Sequence, residues 1–309
     1  TGSHLLPEFG NTWLEIERSG LPIYQKIPLA MAGDTKADMA DATGRAMNLF
    51  AQYFAVHRPD VFLVLGDRFE IFAAAAAAAL QGIAVGHIHG GETTQGAVDE
   101  FLRHSITKMS YLHFVACEEY RHRVIQLGEA PERVFNVGAL GVENILHLSR
   151  MSLGELSEDL DFDLESKPYA VVTLHPATQG EDNGVHAIDE LLRAMEAFPD
   201  MKFLITKANA DAGGREINGV WDREAKKHEN WRVVASLGLR RYLSALQYAE
   251  MMIGNSSSGI IEAPVFHVPT INIGDRQKGR MMAPSILSCG FSEKEIVEAM
   301  NNARSENFI

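Results

Sequence analysis

The sequence predicts an α/β protein with two parallel sheets in tandem. Short apolar runs of strand length alternate with longer segments of helical character along most of the 309 residues, a pattern typical of βαβ units and doubly wound sheets. The alternation breaks once, at residues 150–167, where six carboxylates accompany one lysine without clear periodicity, which predicts a linker. Length also favours two domains. We therefore expect an N-terminal domain over residues 1–166 and a C-terminal domain over residues 167–309.

Composition argues against several classes of function. The net charge is −13, so no basic stripe is available for nucleic acid. The longest apolar run, near residues 72–80, is too short to cross a membrane, and we expect no signal peptide. The two cysteines, Cys117 and Cys289, lie far apart without metal-ligand spacing, which predicts a reducing, cytoplasmic setting.

The first half opens irregularly over residues 1–30, where proline and glycine recur. Helices are predicted from apolar spacing or alanine content over residues 36–56, 72–80, 99–110 and 118–127. Strands are predicted over residues 61–65, 83–86, 112–116 and 134–137. The run 61–65 is wholly apolar, which predicts a strand buried on both faces. Because an α/β domain normally opens with a strand, we expect the protein's first strand to precede residue 1.

The second half repeats this alternation. Strands are predicted over residues 169–174, 202–206, 231–235, 251–254 and 270–273. Helices are predicted over residues 185–197 and 240–248, with a polar helix ending near residue 228. No internal repeat or low-complexity tract interrupts the pattern.

A serine-rich turn follows the apolar run at residues 251–254. A helix that begins near Ser256, Ser257 and Ser258 would present unpaired N–H groups and hydroxyls to a phosphate. Gly259 would let an anion approach the backbone closely. Glu262, further along, could reach a ribose diol. The alternative is that Ser256 only caps the helix, as serine often does.

Polar residues gather where predicted strands end. In the first half these are Asp67 and the segment His87 to Glu92; in the second they are His175, Asn209, the serine turn and Arg276. Ligands of open parallel sheets bind at the carboxyl ends of the strands. If the two halves face each other, all these loops line one cleft.

Each candidate site residue in the first half has two possible roles. Asp67 is either an acid/base carboxylate after an apolar strand or a helix cap, and Arg68 could lower its pKa or fix the backbone. Asp99 and Glu100 are titratable groups or a capping pair. Arg103 binds an anion or forms a salt bridge with those carboxylates.

Two further residue groups carry alternatives. His87 and His89 alternate at strand spacing, so one is expected to face the cleft and the other the interior. A metal held by Asp67 and Glu92 is disfavoured, because no dense ligand signature accompanies them. His175 is either a core histidine or a phosphate contact. Arg276, Lys278 and Arg280 form a cationic loop, which is either solvated or an anion contact.

In combination, these segments resemble the hydrolysing UDP-N-acetylglucosamine 2-epimerases of bacterial sialic-acid-type sugar biosynthesis. The likeness runs from residue 1 to about residue 300. It is carried by residues 66–70 (GDRFE), 87–92 (HIHGGE), 99–108 (DEFLRHSITK) and 254–259 (GNSSSG).

The resemblance implies two Rossmann-like domains of the glycosyltransferase-B type with a central cleft. It implies that UDP-N-acetylglucosamine and water give N-acetylmannosamine and UDP through a glycal intermediate, without a cofactor. Asp67 and Asp99 match the family's acid/base residues. The nucleotide contacts of the family match His175, Ser256, Ser257 and Glu262. We also expect a homo-oligomer, with Arg240 and Arg241 on one predicted helix as interface candidates.

Some family members carry a catalytic Glu where this chain has His89, so that role passes to His89 or to Glu92. The alternatives are the same reaction on a UDP-2,4-diacetamido-2,4,6-trideoxy sugar of the legionaminic acid pathway, a non-hydrolysing 2-epimerase, a glycosyltransferase, and a binding module without turnover. Deuterium uptake at C2 separates epimerases from the last two.

Overall fold

The computed structural model describes residues 1–29, 33, 35–94, 98–176, 185–209, 213–305 and 308. Within these residues, ten strands form two parallel sheets. The strands are β1 Val61–Leu65, β2 Ala84–Ile88, β3 Leu112–Val115, β4 Val134–Asn136, β5 Tyr169–Thr173, β6 Lys202–Thr206, β7 Trp231–Val234, β8 Met251–Gly254, β9 Thr270–Ile273 and β10 Ile286–Cys289. The predicted α/β class with a parallel sheet in each half is confirmed.

Twelve α-helices accompany these strands within the described residues. They are α1 Trp13–Arg18, α2 Lys36–Val56, α3 Phe69–Leu80, α4 Asp99–Met109, α5 Glu118–Gln126, α6 Leu140–His147, α7 Leu153–Leu160, α8 Val185–Glu196, α9 Gly214–Glu224, α10 Gly238–Tyr248, α11 Ser258–Ile261 and α12 Glu293–Ala303. None of them has the length and apolarity that a bilayer crossing would require.

The first sheet has the order β1-β2-β3-β4, and its register pairs Leu65 of β1 with Ile88 of β2. The residues that follow these two strands therefore lie at one edge. Helices α2 and α3 cover one face of β1, where the alanine run lets them pack closely and Ala73 and Ala75 are wholly buried. Small side chains permit this close packing.

The prediction that β1 is buried on both faces is wrong for this structure. Val61, Leu63 and Leu65 are 44%, 57% and 53% exposed, whereas Val64 is 3% exposed. Successive side chains of a strand point to opposite faces, so only one face of β1 is packed. Among the described strands β1 pairs with β2 alone.

The second sheet has the order β10-β9-β8-β5-β6-β7 and is buried on both faces through most of its strands. All five residues of β5 and all four of β8 are buried, as expected for the central strands of a doubly wound sheet. The ends of β5 and β8 lie side by side, because Thr173 pairs with Gly254. His175 and the serine turn are therefore neighbours.

Several segments differ from the sequence prediction, and helices α6 and α12 were not predicted. The acidic stretch 150–167 is not a loose linker. It contains α7, which begins with a capping box of Ser152 and Glu155 and packs Leu156 and Leu160 against Tyr169 in the core of the second half. The irregular opening contains α1 and two short 3₁₀ turns within residues 1–29, while residue 30 lies outside the described residues. Strand β10 was not predicted. The domain boundary at residue 166 remains a prediction.

Candidate active site

His175, at the end of β5, is held by hydrogen bonds to its backbone and its ring. The Asn255 side chain accepts the His175 N–H at 2.7 Å and donates to the His175 carbonyl at 2.9 Å. The backbone N–H of Asn209 donates to His175 Nδ1 at 3.3 Å. Because an N–H can only donate, Nδ1 carries no proton in this arrangement, and Nε2 must carry it. His175 is thus fixed as an Nε2–H donor.

The serine turn follows β8. Ser258 donates its N–H to Ser256 Oγ at 3.3 Å, and Ser257 is the N-cap of α11. Helix α11 has only four residues, so its dipole is shorter than the sequence suggested. The local N–H groups and hydroxyls are what this turn offers an anion.

Gly259 is required for the packing of the turn against β9. A Cβ on Gly259 would lie 2.7 Å from Thr270 Cγ2, so the missing side chain is what lets α11 lie against β9. The prediction that Gly259 lets an anion approach the backbone closely stays a prediction. Tyr242 of α10 donates to Ser258 Oγ at 2.5 Å, which fixes the turn from a residue that the sequence did not single out.

Glu262 lies at the end of α11, beside α6. Burial raises the pKa of this carboxyl, although a hydrogen bond from Ser258 and the nearby His89 oppose that shift. A Cβ on Gly141 of α6 would lie 2.5 Å from Glu262 Oε1. The carboxylate therefore occupies space that only a glycine at position 141 leaves open.

A cavity of about 380 Å³ opens between the ends of β5, β6 and β8. Its wall includes His175, Ser256, Ser258, Tyr242 and Lys207. Pockets of about 300–1,000 Å³ are typical of small-molecule sites. The hydroxyls and imidazole on one side provide hydrogen-bond donors for a polar ligand.

In the first half, Asp67 is held by a buried guanidinium. Arg103 of α4 is 1% exposed and donates to Asp67 Oδ2. Burial, followed by the nearby Arg280 and Arg276 charges, lowers the Arg103 pKa to about 9. A buried arginine held this close restricts the orientation of the carboxylate.

His89, Glu92 and Arg280 form a second cluster. His89 Nδ1 lies 2.6 Å from Glu92 Oε1, and Arg280 Nη1 lies 2.6 Å from Glu92 Oε2. Burial would raise the pKa of Glu92, but the His89 hydrogen bond and the Arg280 charge hold it below its ordinary value. His89 has a φ of 66°, a conformation that is uncommon outside glycine and that concentrates at functional sites.

Arg276 links the two halves of the molecule. Its Nη2 lies 3.6 Å from Asp99 Oδ2, and its Nη1 donates to the Asn255 carbonyl at 3.3 Å. One side chain thus contacts both the start of α4 and the serine turn. The loop after β9 therefore reaches both halves of the molecule.

His87 is the interior member of the predicted histidine pair. It is 0% exposed, with Nε2 2.8 Å from the Gly66 carbonyl and Nδ1 3.1 Å from Thr107 Oγ1. Burial lowers the pKa of His87 to about 4, so it is neutral at neutral pH. Its Nε2–H supports the turn that carries Asp67.

Comparison with known proteins gives a consistent result. A family model described as UDP-N-acetylglucosamine 2-epimerase matches residues 1–308. The chain belongs to the UDP-N-acetylglucosamine 2-epimerase family. The resemblance inferred from the motifs is confirmed.

Two curated relatives match the whole chain. A Campylobacter jejuni protein described as "GDP/UDP-N,N'-diacetylbacillosamine 2-epimerase (hydrolyzing)" is 39% identical over 309 residues, 100% of this chain and 79% of that protein. The Escherichia coli polysialic acid biosynthesis protein P7 is 40% identical over 313 residues, 100% of this chain and 78% of that protein.

A solved structure extends the likeness to the fold. The Neisseria meningitidis UDP-GlcNAc 2-epimerase, solved with UDP-GlcNAc bound, superposes with a TM-score of 0.76 at 16% identity, over 95% of this chain and 81% of that one. Together with the two parallel sheets, this likeness confirms the glycosyltransferase-B type of fold with two Rossmann-like units.

The contacts above link Asp67 to Arg103, His89 to Glu92, Asp99 to Arg276, and His175 to Asn209. Arg68 donates from Nε to Glu70 Oε1 at 2.9 Å. Arg280 was recognised only as part of a cationic loop, and Gln277 and Tyr242 were missed. Their partners are distant in sequence, so no local pattern could have revealed them. Over the described residues, no group of three or more His, Cys, Asp or Glu is arranged to hold a metal ion.

Proposed function

We propose that the protein is a hydrolysing 2-epimerase that converts UDP-N-acetylglucosamine and water to N-acetylmannosamine and UDP. The observation that carries this proposal is that two sets of residues with different chemistry are joined by ion pairs between the halves. Donors suited to a diphosphate lie on the second half, and oriented carboxylates with an imidazole lie on the first. The Arg276–Asp99 and Arg280–Glu92 ion pairs connect them directly.

The reaction requires two proton transfers at C2 of the sugar. In the first step a base takes the C2 proton, a C1–C2 double bond forms, and the C1–oxygen bond breaks with its electron pair leaving on UDP. In the second step water adds its hydroxyl to C1 of the glycal, and an acid returns a proton to the opposite face of C2. The net change consumes one water and inverts C2.

The contacts favour a particular division of roles. Both oxygens of Glu92 are engaged, by His89 and Arg280, so Glu92 orients rather than exchanges protons. His89 uses Nδ1 in that contact, which leaves Nε2 as the atom for proton transfer, as in other carboxylate–histidine pairs. Asp67, aligned by Arg103, and Asp99 are the carboxylates proposed for the other transfer.

Departure of UDP requires stabilisation of the charge that develops on the diphosphate. His175 Nε2–H and the Ser256 and Ser257 hydroxyls are the proposed donors, since fixed hydrogen-bond donors favour a developing anion. Glu262 is proposed to accept from the ribose hydroxyls. The cavity beside His175 has room for the nucleoside.

A second substrate is supported by a specific observation. The Campylobacter jejuni relative carries diacetylbacillosamine in its description. We therefore propose the UDP-2,4-diacetamido-2,4,6-trideoxy sugar as the alternative substrate for the same chemistry.

The test is a proton NMR time course in heavy water with each UDP-sugar at equal concentration. The expected result is release of UDP with a free sugar deuterated at C2, which is N-acetylmannosamine from UDP-N-acetylglucosamine and the C2-inverted diacetamido sugar from the other substrate. The ratio of kcat/KM values then ranks the two. Accumulation of UDP-N-acetylmannosamine would replace hydrolysis with a non-hydrolysing epimerisation. UDP binding without deuterium uptake from either sugar would overturn the epimerase assignment.

A further inference from the structure

Asn255 is buried where three loops meet. It is 2% exposed, and its amide makes the paired contacts with the His175 backbone described above, at 2.7 and 2.9 Å. A backbone N–H only donates and a carbonyl only accepts, so these partners fix which end of the amide is oxygen. The side chain therefore fixes the backbone of His175 through two hydrogen bonds.

The backbone of Asn255 is tied as firmly as its side chain. Its N–H donates to the Thr173 carbonyl at 3.1 Å. The Asn255 carbonyl accepts from Gln277 Nε2 at 2.8 Å, and Gln277 is 0% exposed. One residue thus joins the end of β5, the start of the serine turn and the loop after β9.

A similar contact lies one loop away. Asn218 of α9 accepts the Ala208 N–H at 2.7 Å and donates to the Ala208 carbonyl at 3.2 Å. Ala208 precedes Asn209, whose N–H contacts the His175 ring. The backbone of His175 and the donor to its ring are therefore each fixed by a buried asparagine.

We propose that Asn255 is a positioning residue for the UDP leaving group, which holds the His175 imidazole in register with the serine hydroxyls without touching the substrate. This inference rests on the proposed function. A displacement of about 1 Å between groups that act together can cost on the order of 100-fold in rate. Asn255 controls that separation because its side chain binds His175 while Ser256 follows it directly in the chain.

The change Asn255→Asp supplies a signature that a purely structural role lacks. An aspartate has the same shape, but its ionised carboxylate has no hydrogen to give the His175 carbonyl. A protonated carboxyl regains one donor and one acceptor and so mimics the amide. Burial raises the pKa of a carboxyl, which brings this protonation towards mildly acidic pH.

The experiment measures the Kd for UDP by calorimetry and kcat for sugar release, for the wild-type chain and Asn255→Asp, from pH 8 to pH 5.5. At pH 8 we expect the variant to have a kcat and a UDP affinity lower than wild type by on the order of 100-fold. At pH 5.5 both should lie within about tenfold of wild type. Because UDP titrates equally in both measurements, dividing the value for the variant by the wild-type value at each pH cancels the effect of that titration.

The control is Asn272→Asp in β9. Asn272 is also 2% exposed, and its Nδ2 donates to Ser288 Oγ at 3.2 Å. This variant buries a comparable carboxylate in the same sheet without contacting His175. Its UDP affinity should stay within about twofold of wild type at every pH at which it is folded.

The outcomes separate the two proposals. If the wild-type chain turns over and the ratio of the Asn255→Asp values to the wild-type values does not change with pH, the positioning role alone is overturned. Absence of both UDP binding and turnover in the wild-type chain would overturn the proposed function and this inference together. If Asn255→Asp does not fold, Asn255→Ser replaces it, because the shorter side chain cannot make both amide contacts with His175. A lower UDP affinity and kcat at every pH are then expected, and values equal to wild type would overturn the positioning role.

Discussion

Arg280 Nη1 lies 2.6 Å from Glu92 Oε2, and both side chains are nearly buried at 6% and 4% exposure. This ion pair joins the loop after β9 to the loop after β2, and it occupies the oxygen of Glu92 that His89 does not use. Removing one partner of such a pair leaves an uncompensated charge, which is more damaging than loss of a surface pair. A substitution of Glu92 is therefore expected to disturb both the ion pair with Arg280 and the orientation of His89.

The change Glu92→Gln is expected to lower kcat by about 10–100-fold with a smaller effect on KM. The amide keeps the shape but loses the charge that orients His89 and compensates Arg280, and carboxylate–histidine orientation is important for proton transfer. Steady-state kinetics between pH 6 and pH 9 would check this. An unchanged kcat would show that Glu92 does not act on His89.

A matched control exists within the chain. Glu129 is also buried, 3.2 Å from His113 Nε2 and 2.5 Å from Lys108 Nζ, but it lies outside the cleft residues. Glu129→Gln should lower the free energy of unfolding while leaving kcat per folded molecule near wild type. A similar loss of kcat in both variants would point to general destabilisation.

The change Asp67→Asn is expected to reduce turnover by about 10²–10⁴-fold, the range associated with loss of a general acid or base. The carboxamide can still accept from Arg103, so UDP affinity should change little. Deuterium incorporation at C2 and UDP calorimetry measure the two effects separately. Asp60, which is exposed and directly precedes β1, provides the control variant Asp60→Asn. Normal turnover by Asp67→Asn would remove Asp67 from the mechanism.

The change Gly141→Ala tests the placement of Glu262. A Cβ would meet Glu262 Oε1 at 2.5 Å, and because this atom ends a flexible side chain, the carboxylate should move while the helix persists. We expect the UDP Kd to rise about tenfold, on the order of 1.4 kcal/mol. Gly219→Ala in α9 meets nothing within 4 Å and should instead add up to about 1 kcal/mol of stability with unchanged UDP affinity. Equal affinities in the two variants would contradict the role of Glu262.

The stability of the chain should depend on pH through His87. Burial lowers its pKa in the folded state from 6.5 to about 4, so between these values the unfolded chain binds more protons. This contribution is complete above the unfolded pKa and is lost as pH falls towards the folded one. The linkage relation gives about 2 kcal/mol of lost stability between pH 7 and pH 5.

Chemical denaturation at both pH values measures this loss, and the variant His87→Gln should show a correspondingly smaller difference. His122→Gln replaces an exposed histidine, 66% accessible at its side chain, and should retain the wild-type difference. An undiminished difference in His87→Gln would assign the effect to other groups.

Much of the fold could be predicted because its signals are local. The wholly apolar run of β8 and the alanine run of α3 specify strand and helix through residues that are adjacent in the chain. The same reasoning misread β1, since apolar character does not reveal whether a face is covered. It also misread α7, where the acidic side chains concealed two leucines that pack in the core.

The sequence by itself determined the alternation of strands and helices, and with it the loops at the carboxyl ends of the strands where Asp67, His89, His175 and the serine turn lie. Parallel connectivity alone brings such loops to one edge. Only the tertiary structure decided which side chains meet. Asn255 and His175 are 80 residues apart, and Glu92 and Arg280 lie on different halves. Hydrogen bonds and ion pairs depend on distances of a few ångströms, which packing sets and sequence spacing does not encode.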